Sequence, residues 1–252
     1  MSMIKKSCLA LLICASTMSV SSAFAASRIY SPYVSKGELE VEYFGSRSVD
    51  NEQSKDNNQK HQFALGYGVN DFWKTEIYAN YENEHDGSFT FDEWEWENIF
   101  QLTQRGEYFL DVGASFAYEY TPSDAKADTV EAGLLLAKDV GNTFHVVNLV
   151  AEKNVGAGHK DDLEGKVLWS SRYNYSSVFE PGFEIESKFG ELNDTKSFDG
   201  QEHSVGPAAY GKIPVGLLNA DGFKYRAAYL FGVSDAAPDG QAIAELEYEI
   251  HF

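Results

Sequence analysis

From residue 37 onward the chain alternates apolar and polar side chains with a period of two, and a period of 3.6 is almost absent. In the run from Tyr108 to Tyr120, one parity carries Tyr108, Leu110, Val112, Ala114, Phe116, Tyr118 and Tyr120. The other carries Asp111, Gly113, Ser115 and Glu119. That pattern predicts a strand with one apolar and one polar face. It recurs near 37–47, 59–69, 72–83, 90–104, 126–138, 143–153, 162–176, 182–190, 202–213, 222–233 and 240–252, and with 106–120 this makes twelve strands, ten or fourteen being the alternatives. Most segments reach the 9–11 residues that a tilted membrane strand needs, beyond the five or six usual in soluble sheets. Trp94 and Trp96, Tyr118 and Tyr120, Tyr173 and Tyr175, and Tyr248 and Phe252 sit on the apolar parity near segment ends, where aromatic rings meet headgroups.

The connections separate a membrane barrel from a soluble sandwich, which would show the same alternation. Connections after odd segments are long and polar, as in DNEQSKDNNQ near 50–59 and ELNDTKSFDGQE at 191–202. Several after even segments are tight, notably Asn70-Asp71, Gln104-Arg105-Gly106 and Asp139-Val140-Gly141-Asn142. This asymmetry predicts an all-β, closed antiparallel transmembrane barrel with short periplasmic turns and longer extracellular loops. Two places resist the pattern. Pro207 falls inside the tenth segment, predicting a bulge or a later strand start. The seventh, TFHVVNLVAEK, is apolar on both parities, with Phe144, Val146 and Val150 turned inward.

Residues 1–25 read as a secretory signal: Lys5 and Lys6 form a basic start, Cys8 to Val20 is mostly apolar, and Ala23-Phe24-Ala25 is an A-x-A cleavage site. Residues 26–252 then form a single barrel domain that holds neither Cys8 nor Cys14, so no disulfide staples it. Loss of the two lysines deepens the formal charge from -19 to -21. Such a charge excludes nucleic acid as a partner. The 14% aromatic content argues against disorder.

The export signal, the Cys-free remainder, the paired amphipathic segments and the last strand AIAELEYEIHF, ending on Phe252, together resemble a Gram-negative outer-membrane β-barrel. The resemblance implies outer-membrane lipids as surroundings, and Phe252 as the signal read by the barrel-assembly machinery. The runs EWENIFQLTQRGEYFLDVG, VFEPGFEIE, VGPAAYGKI and YLFGVSDAAPDG are also similar to an uncharacterised proteobacterial barrel family with a transporter-like label, which brings no substrate or site residues with it.

The inward parity carries the chemistry. It collects Glu38, Glu40, Glu42, Glu76, Glu82, Glu93, Glu95, Glu97, Asp111, Glu119, Glu131, Glu152, Glu164, Glu184, Glu186, Glu245, Glu247 and Glu249, against Lys74, Lys166, Arg172, Lys188, Lys212, Lys224 and Arg226. Closure of the barrel brings Glu38, Glu40 and Glu42 beside Glu245, Glu247 and Glu249, where facing like charges require water or cations between them. Twelve strands predict a narrow or partly obstructed pore. The expected function is a channel for small solutes with weak cation preference, for which Glu93, Glu95 and Glu97 line the outer mouth. The alternatives are a structural or surface-adhesion barrel using its loops and, less so, a membrane-embedded hydrolase. No nucleophile motif accompanies His61, His85, His145, His159, His203 or His251, so no catalytic residue, cofactor or metal site is assigned. His85-Asp86 and His159 with Asp161 and Asp162 are loop residues without a regular ligand spacing.

Overall fold

A computed structural model describes residues 26–83, 87–123, 126–156, 162–215 and 220–251. The proposed signal at 1–25, His85, Asp86, His159, Asp161 and the terminal Phe252 lie outside the described residues. The strands, in chain order, are β1 (Glu38–Val49), β2 (Gln59–Asn70), β3 (Trp73–Asn83), β4 (Thr90–Gln101), β5 (Asp111–Tyr120), β6 (Asp128–Val140), β7 (Thr143–Val155), β8 (Leu163–Tyr173), β9 (Glu180–Glu191), β10 (Glu202–Ile213), β11 (Ala220–Gly232) and β12 (Gly240–His251). Each pairs antiparallel with the next, and β1 pairs with β12, so the twelve strands close a barrel. Closure leaves no edge strand with unpaired backbone groups.

The alternation decides which face goes where. Val41, Phe63, Leu65, Ile77, Trp94, Trp96, Phe116, Leu149 and Leu246 are exposed on the outside. Their sequence neighbours Glu42, Gln62, Ala64, Glu76, Glu95, Glu97, Ala117, Asn148 and Val150 are buried inside. Exterior rings gather at both ends of the wall. Tyr81, Phe89, Phe91 and Trp94 pack on one another toward the long-loop end. Trp73 stacks on Phe100, and Phe223 packs on Tyr248, toward the other. Connections after odd strands fall at one end of the barrel, and tight turns at 71–72 and 141–142 fall at the other.

Two local expectations are corrected. The fifth strand starts at Asp111 rather than near 106, and 102–110 is an irregular loop rather than a tight turn at Gln104-Arg105-Gly106. Local bonds replace the ladder there: the Asp111 carboxylate accepts from the Gly106 amide at 2.7 Å, and the Thr103 hydroxyl accepts from the Val112 amide at 2.8 Å. Tyr108, which with Leu110 imitates strand alternation, and its neighbour Phe109 stand exposed on this loop. Pro207 produces neither a bulge nor a late start. β10 runs from Glu202 through Pro207 opposite Phe183 of β9, while toward β11 the pairing stops at Val205–Phe231 and resumes in unchanged register at Ala208–Ala228. The missing N–H is therefore absorbed as a short gap in one ladder.

The interior holds a feature that alternation could not reveal. Residues 26–37 turn back from the start of β1 and thread the lumen from the short-turn end to mid-barrel. The Gly37 amide donates to the Gly68 carbonyl at 2.7 Å, the Val34 amide donates to Gln101 Oε1 at 2.9 Å, and the Tyr33 hydroxyl donates to Asp111 at 2.7 Å. Higher up, the side chain of Asn148 bonds both backbone groups of Tyr30. Ser27 donates its hydroxyl and amide to Glu186, and Ala26 packs with Phe44, Ala208, Tyr210 and Leu230. The wall is built to admit this strap: a Cβ on Gly68 would lie 1.8 Å from the Ser35 carbonyl oxygen, and one on Gly113 would lie 2.8 Å from Pro32. Any side chain at either position collides with the strap backbone or with a buried proline ring.

Candidate functional site: two walls of a charged lumen

All nine acidic candidates and all four basic ones fall on strands with the inward parity. The structure sorts them into two groups. On the wall formed by β11, β12 and β1, Glu40 stands opposite Glu249 and Glu42 opposite Glu247, whereas Glu38 faces His251 and Glu245 faces Phe44. Like charges facing across a ladder are destabilising, and here each is met by a cation. Lys74 reaches Glu40 at 2.7 Å and Glu76 at 3.2 Å. Lys212 reaches Glu249 at 3.1 Å, and Lys224 pairs with Glu247 at 3.0 Å and also with Glu249. Arg226 forks onto Glu184 at 2.6 and 2.7 Å and extends to Glu245 at 3.1 Å. Arg172, on β8, is half-buried and reaches Glu180 at 3.1 Å.

On the second wall, β3 to β5, Lys74 meets Glu76 and Lys126 meets Glu82 and Asp92, but the inward carboxylates of β4 and β5 lack this compensation. Among the described residues, no lysine or arginine nitrogen lies within 4.0 Å of Glu93, Glu95, Glu97 or Glu119. Amides stand in for cations: Asn80 donates to Glu93 at 3.0 Å and to Glu95 at 3.2 Å, and Gln62 donates to Glu95 at 3.4 Å. Glu97 is fully buried, and neither of its carboxylate oxygens has a partner that meets hydrogen-bond geometry. Trp94 and Trp96 alternate with these residues and are about half exposed on the outside, at 50% and 49%. The three carboxylates accordingly point inward, Glu93 and Glu95 in the long-loop half of β4 and Glu97 past its midpoint toward the short-turn end, so Glu97 does not line the outer mouth.

Two basic residues that matter were not among the sequence candidates. Lys60 shares the inward parity of β2 with Gln62 and Ala64, a signal present in the alternation, and its charge acts on Glu93 and Glu119 without an ion pair to either. Arg28 had no such signal, because it belongs to the strap, where no period exists. Its guanidinium pairs with Glu42, reaches Glu245 at 2.9 Å, and lies 4.9 Å from the ring centre of Tyr78 and 5.6 Å from that of Tyr30. Burial opposes its charge, but Glu42, Tyr78 and Glu245 more than offset that and hold the group further above its ordinary range. Tyr33 is also pushed upward, by burial first and then by its bond to Asp111.

No family model matches the chain, and no curated protein matches it in sequence. Solved structures are similar to it, among them the following two. One, from work on the in-meso crystallization of membrane proteins, has 11% identity and a TM-score of 0.45 over 83% of each chain. The other, described as a bacterial polysaccharide outer membrane secretin, has 9% identity and a TM-score of 0.38, covering 86% of this chain and 99% of that one.

Proposed function

We propose that this protein is an outer-membrane β-barrel that passes small solutes along a narrow, cation-preferring path, with the N-terminal strap as its constriction. The apolar exterior between two aromatic zones supports the membrane setting, with outer-membrane lipids as surroundings. Export through a cleaved signal and insertion by the barrel-assembly machinery, with Phe252 as part of its signal, complete this reading. The short-turn end is then periplasmic. An epitope inserted at Asp56 or Asn193 is expected to be reached on intact cells and one at Asp71 is not; labelling at Asp71 without permeabilisation would reverse the orientation.

One observation carries the cation preference: among the described residues, Glu93, Glu95, Glu97 and Glu119 have no lysine or arginine within ion-pair distance. Within a narrow passage their field extends over about 8–10 Å at ordinary ionic strength, which concentrates cations and repels anions. Reversal potentials in planar bilayers under a salt gradient test this directly. Equal permeability of cation and anion through properly inserted protein would sink it.

The strap favours a second reading. A lumen filled from below by residues 26–37 also suits a structural or adhesion barrel, whose outer loops present the binding surface. Two of those loops brace each other, since Lys55 donates to the Asp235 carbonyl at 2.6 Å and Asn51 donates to Asp239 at 3.0 Å. Absence of any single-channel conductance from correctly folded protein would select this reading.

A further inference from the structure

Arg28 shows what one part of the lumen is shaped to hold. Its guanidinium is 7% exposed, bracketed by Glu42 and Glu245, with the fully buried ring of Tyr78 on one side and Tyr30 from the strap beside it. Two carboxylates and a fixed aromatic ring form a recognition set for a guanidinium or an alkylammonium group. The wall supplies all three of these groups, and only the cation and Tyr30 come from the strap. The fit is also incomplete, because Nε and Nη1 of Arg28 have no hydrogen-bond partner. A solute guanidinium that meets the same two carboxylates and ring competes with Arg28 for the same contacts.

We propose that the Glu42–Glu245–Tyr78 seat is a binding site for a solute bearing a guanidinium or alkylammonium group, and that such a solute binds by displacing Arg28 and the strap with it. This rests on the channel reading above and gives it a substrate class. The strap is then a tethered competitor. It lowers the apparent affinity of the seat by the fraction of time that it is docked. Displacement breaks the Ser27–Glu186 and Tyr30–Asn148 bonds together, because they lie on the same short segment.

The probe is agmatine, a guanidinium on an aminobutyl chain. Cys8 and Cys14 both precede residue 26, so Ser27→Cys in the processed chain places a single thiol on the strap. Agmatine at constant ionic strength is expected to accelerate its modification by a bulky maleimide several-fold, whereas sodium is not. Calorimetric titration should show Arg28→Gln binding agmatine at least about tenfold more tightly than wild type, as expected when a competitor docked nine-tenths of the time is removed. Adding Glu42→Gln to that variant should abolish binding. An unchanged labelling rate, or an Arg28→Gln protein that binds no more tightly, overturns the proposal. If Arg28→Gln does not fold, shown by a lost heat-dependent gel shift, the labelling arm decides alone. Binding and displacement without any ion current would remove the channel reading and leave the seat; steady current indifferent to agmatine would remove the seat and leave the channel.

Discussion

The β11–β12–β1 wall and the β3–β5 wall carry the same residue type at the same parity, yet they hold their carboxylates in opposite ways. On the first, Glu40, Glu42, Glu245, Glu247 and Glu249 are each within ion-pair distance of Lys74, Arg28, Arg226, Lys224 or Lys212. On the second, Glu93, Glu95 and Glu97 have amides or nothing. Acidity alone therefore does not define a cation path. A paired carboxylate holds the barrel together, and an unpaired one leaves its field in the lumen.

Breaking a pair on the first wall should give the largest effect. Arg226 is 7% exposed, and Glu184, its bidentate partner, is 1% exposed. Arg226→Gln leaves a buried carboxylate without a counter-ion and is expected to destabilise the barrel by roughly 3–5 kcal/mol. Glu97→Gln, on the other wall, replaces a buried carboxyl group that has no cation partner and should change stability by less than about 1 kcal/mol, or raise it. Urea unfolding of the two refolded proteins, followed by the heat-dependent gel shift, checks the contrast. Similar losses in both would erase the distinction between the walls.

How much of this was legible in the sequence depends on what fixes each feature. The twelve strands could be read because closure forces one face toward an apolar surrounding and the other inward, and period two records that directly. The failures are places where local bonds imitate or replace a ladder. At 102–110, alternating Tyr108 and Leu110 suggest a strand, but the Asp111 and Thr103 side chains bind the local backbone first. At Pro207 the register is held by the pairs on either side, so the interruption stays local. The inward set of carboxylates could be read by parity, but its division into paired and unpaired members could not. That division depends on the offset of β1 against β12 and on Arg28, which comes from a segment without periodicity.

The intermediate effect is on selectivity, and it separates the walls by function rather than stability. The combined change Glu93→Gln, Glu95→Gln and Glu97→Gln keeps size and polarity while removing unpaired charge. It should lower the cation-to-anion permeability ratio, with unfolding little changed. The matched change Glu245→Gln, Glu247→Gln and Glu249→Gln strips partners from Arg226, Lys224 and Lys212. It should cost stability first and shift selectivity less. Reversal potentials read beside unfolding curves for the two triples provide the check, and the reverse ranking would assign the walls the other way round.

The smallest expected effect asks whether pairing or burial distinguishes the first wall. Arg105 and Asp139 form a two-pronged ion pair at the short-turn end, with Nε to Oδ2 at 2.9 Å and Nη2 to Oδ1 at 3.0 Å, a geometry close to that of Arg226 with Glu184. The difference is solvent: their side chains are 57% and 42% exposed, so water solvates either charge once its partner is gone. Arg105→Ala should therefore cost no more than about 1 kcal/mol. Part of that is packing rather than charge, because the guanidinium also covers the rings of Tyr33 and Phe144 at 5.1 and 5.2 Å. High salt should reduce the charged share and leave the packing share, whereas the Arg226 penalty, being buried, should persist. Unfolding of wild type, Arg105→Ala and Arg226→Gln at low salt and at about 1 M salt, where screening acts within roughly 3 Å, measures both. A loss at Arg105 as large as that at Arg226 would mean that geometry, not burial, makes the first wall strong.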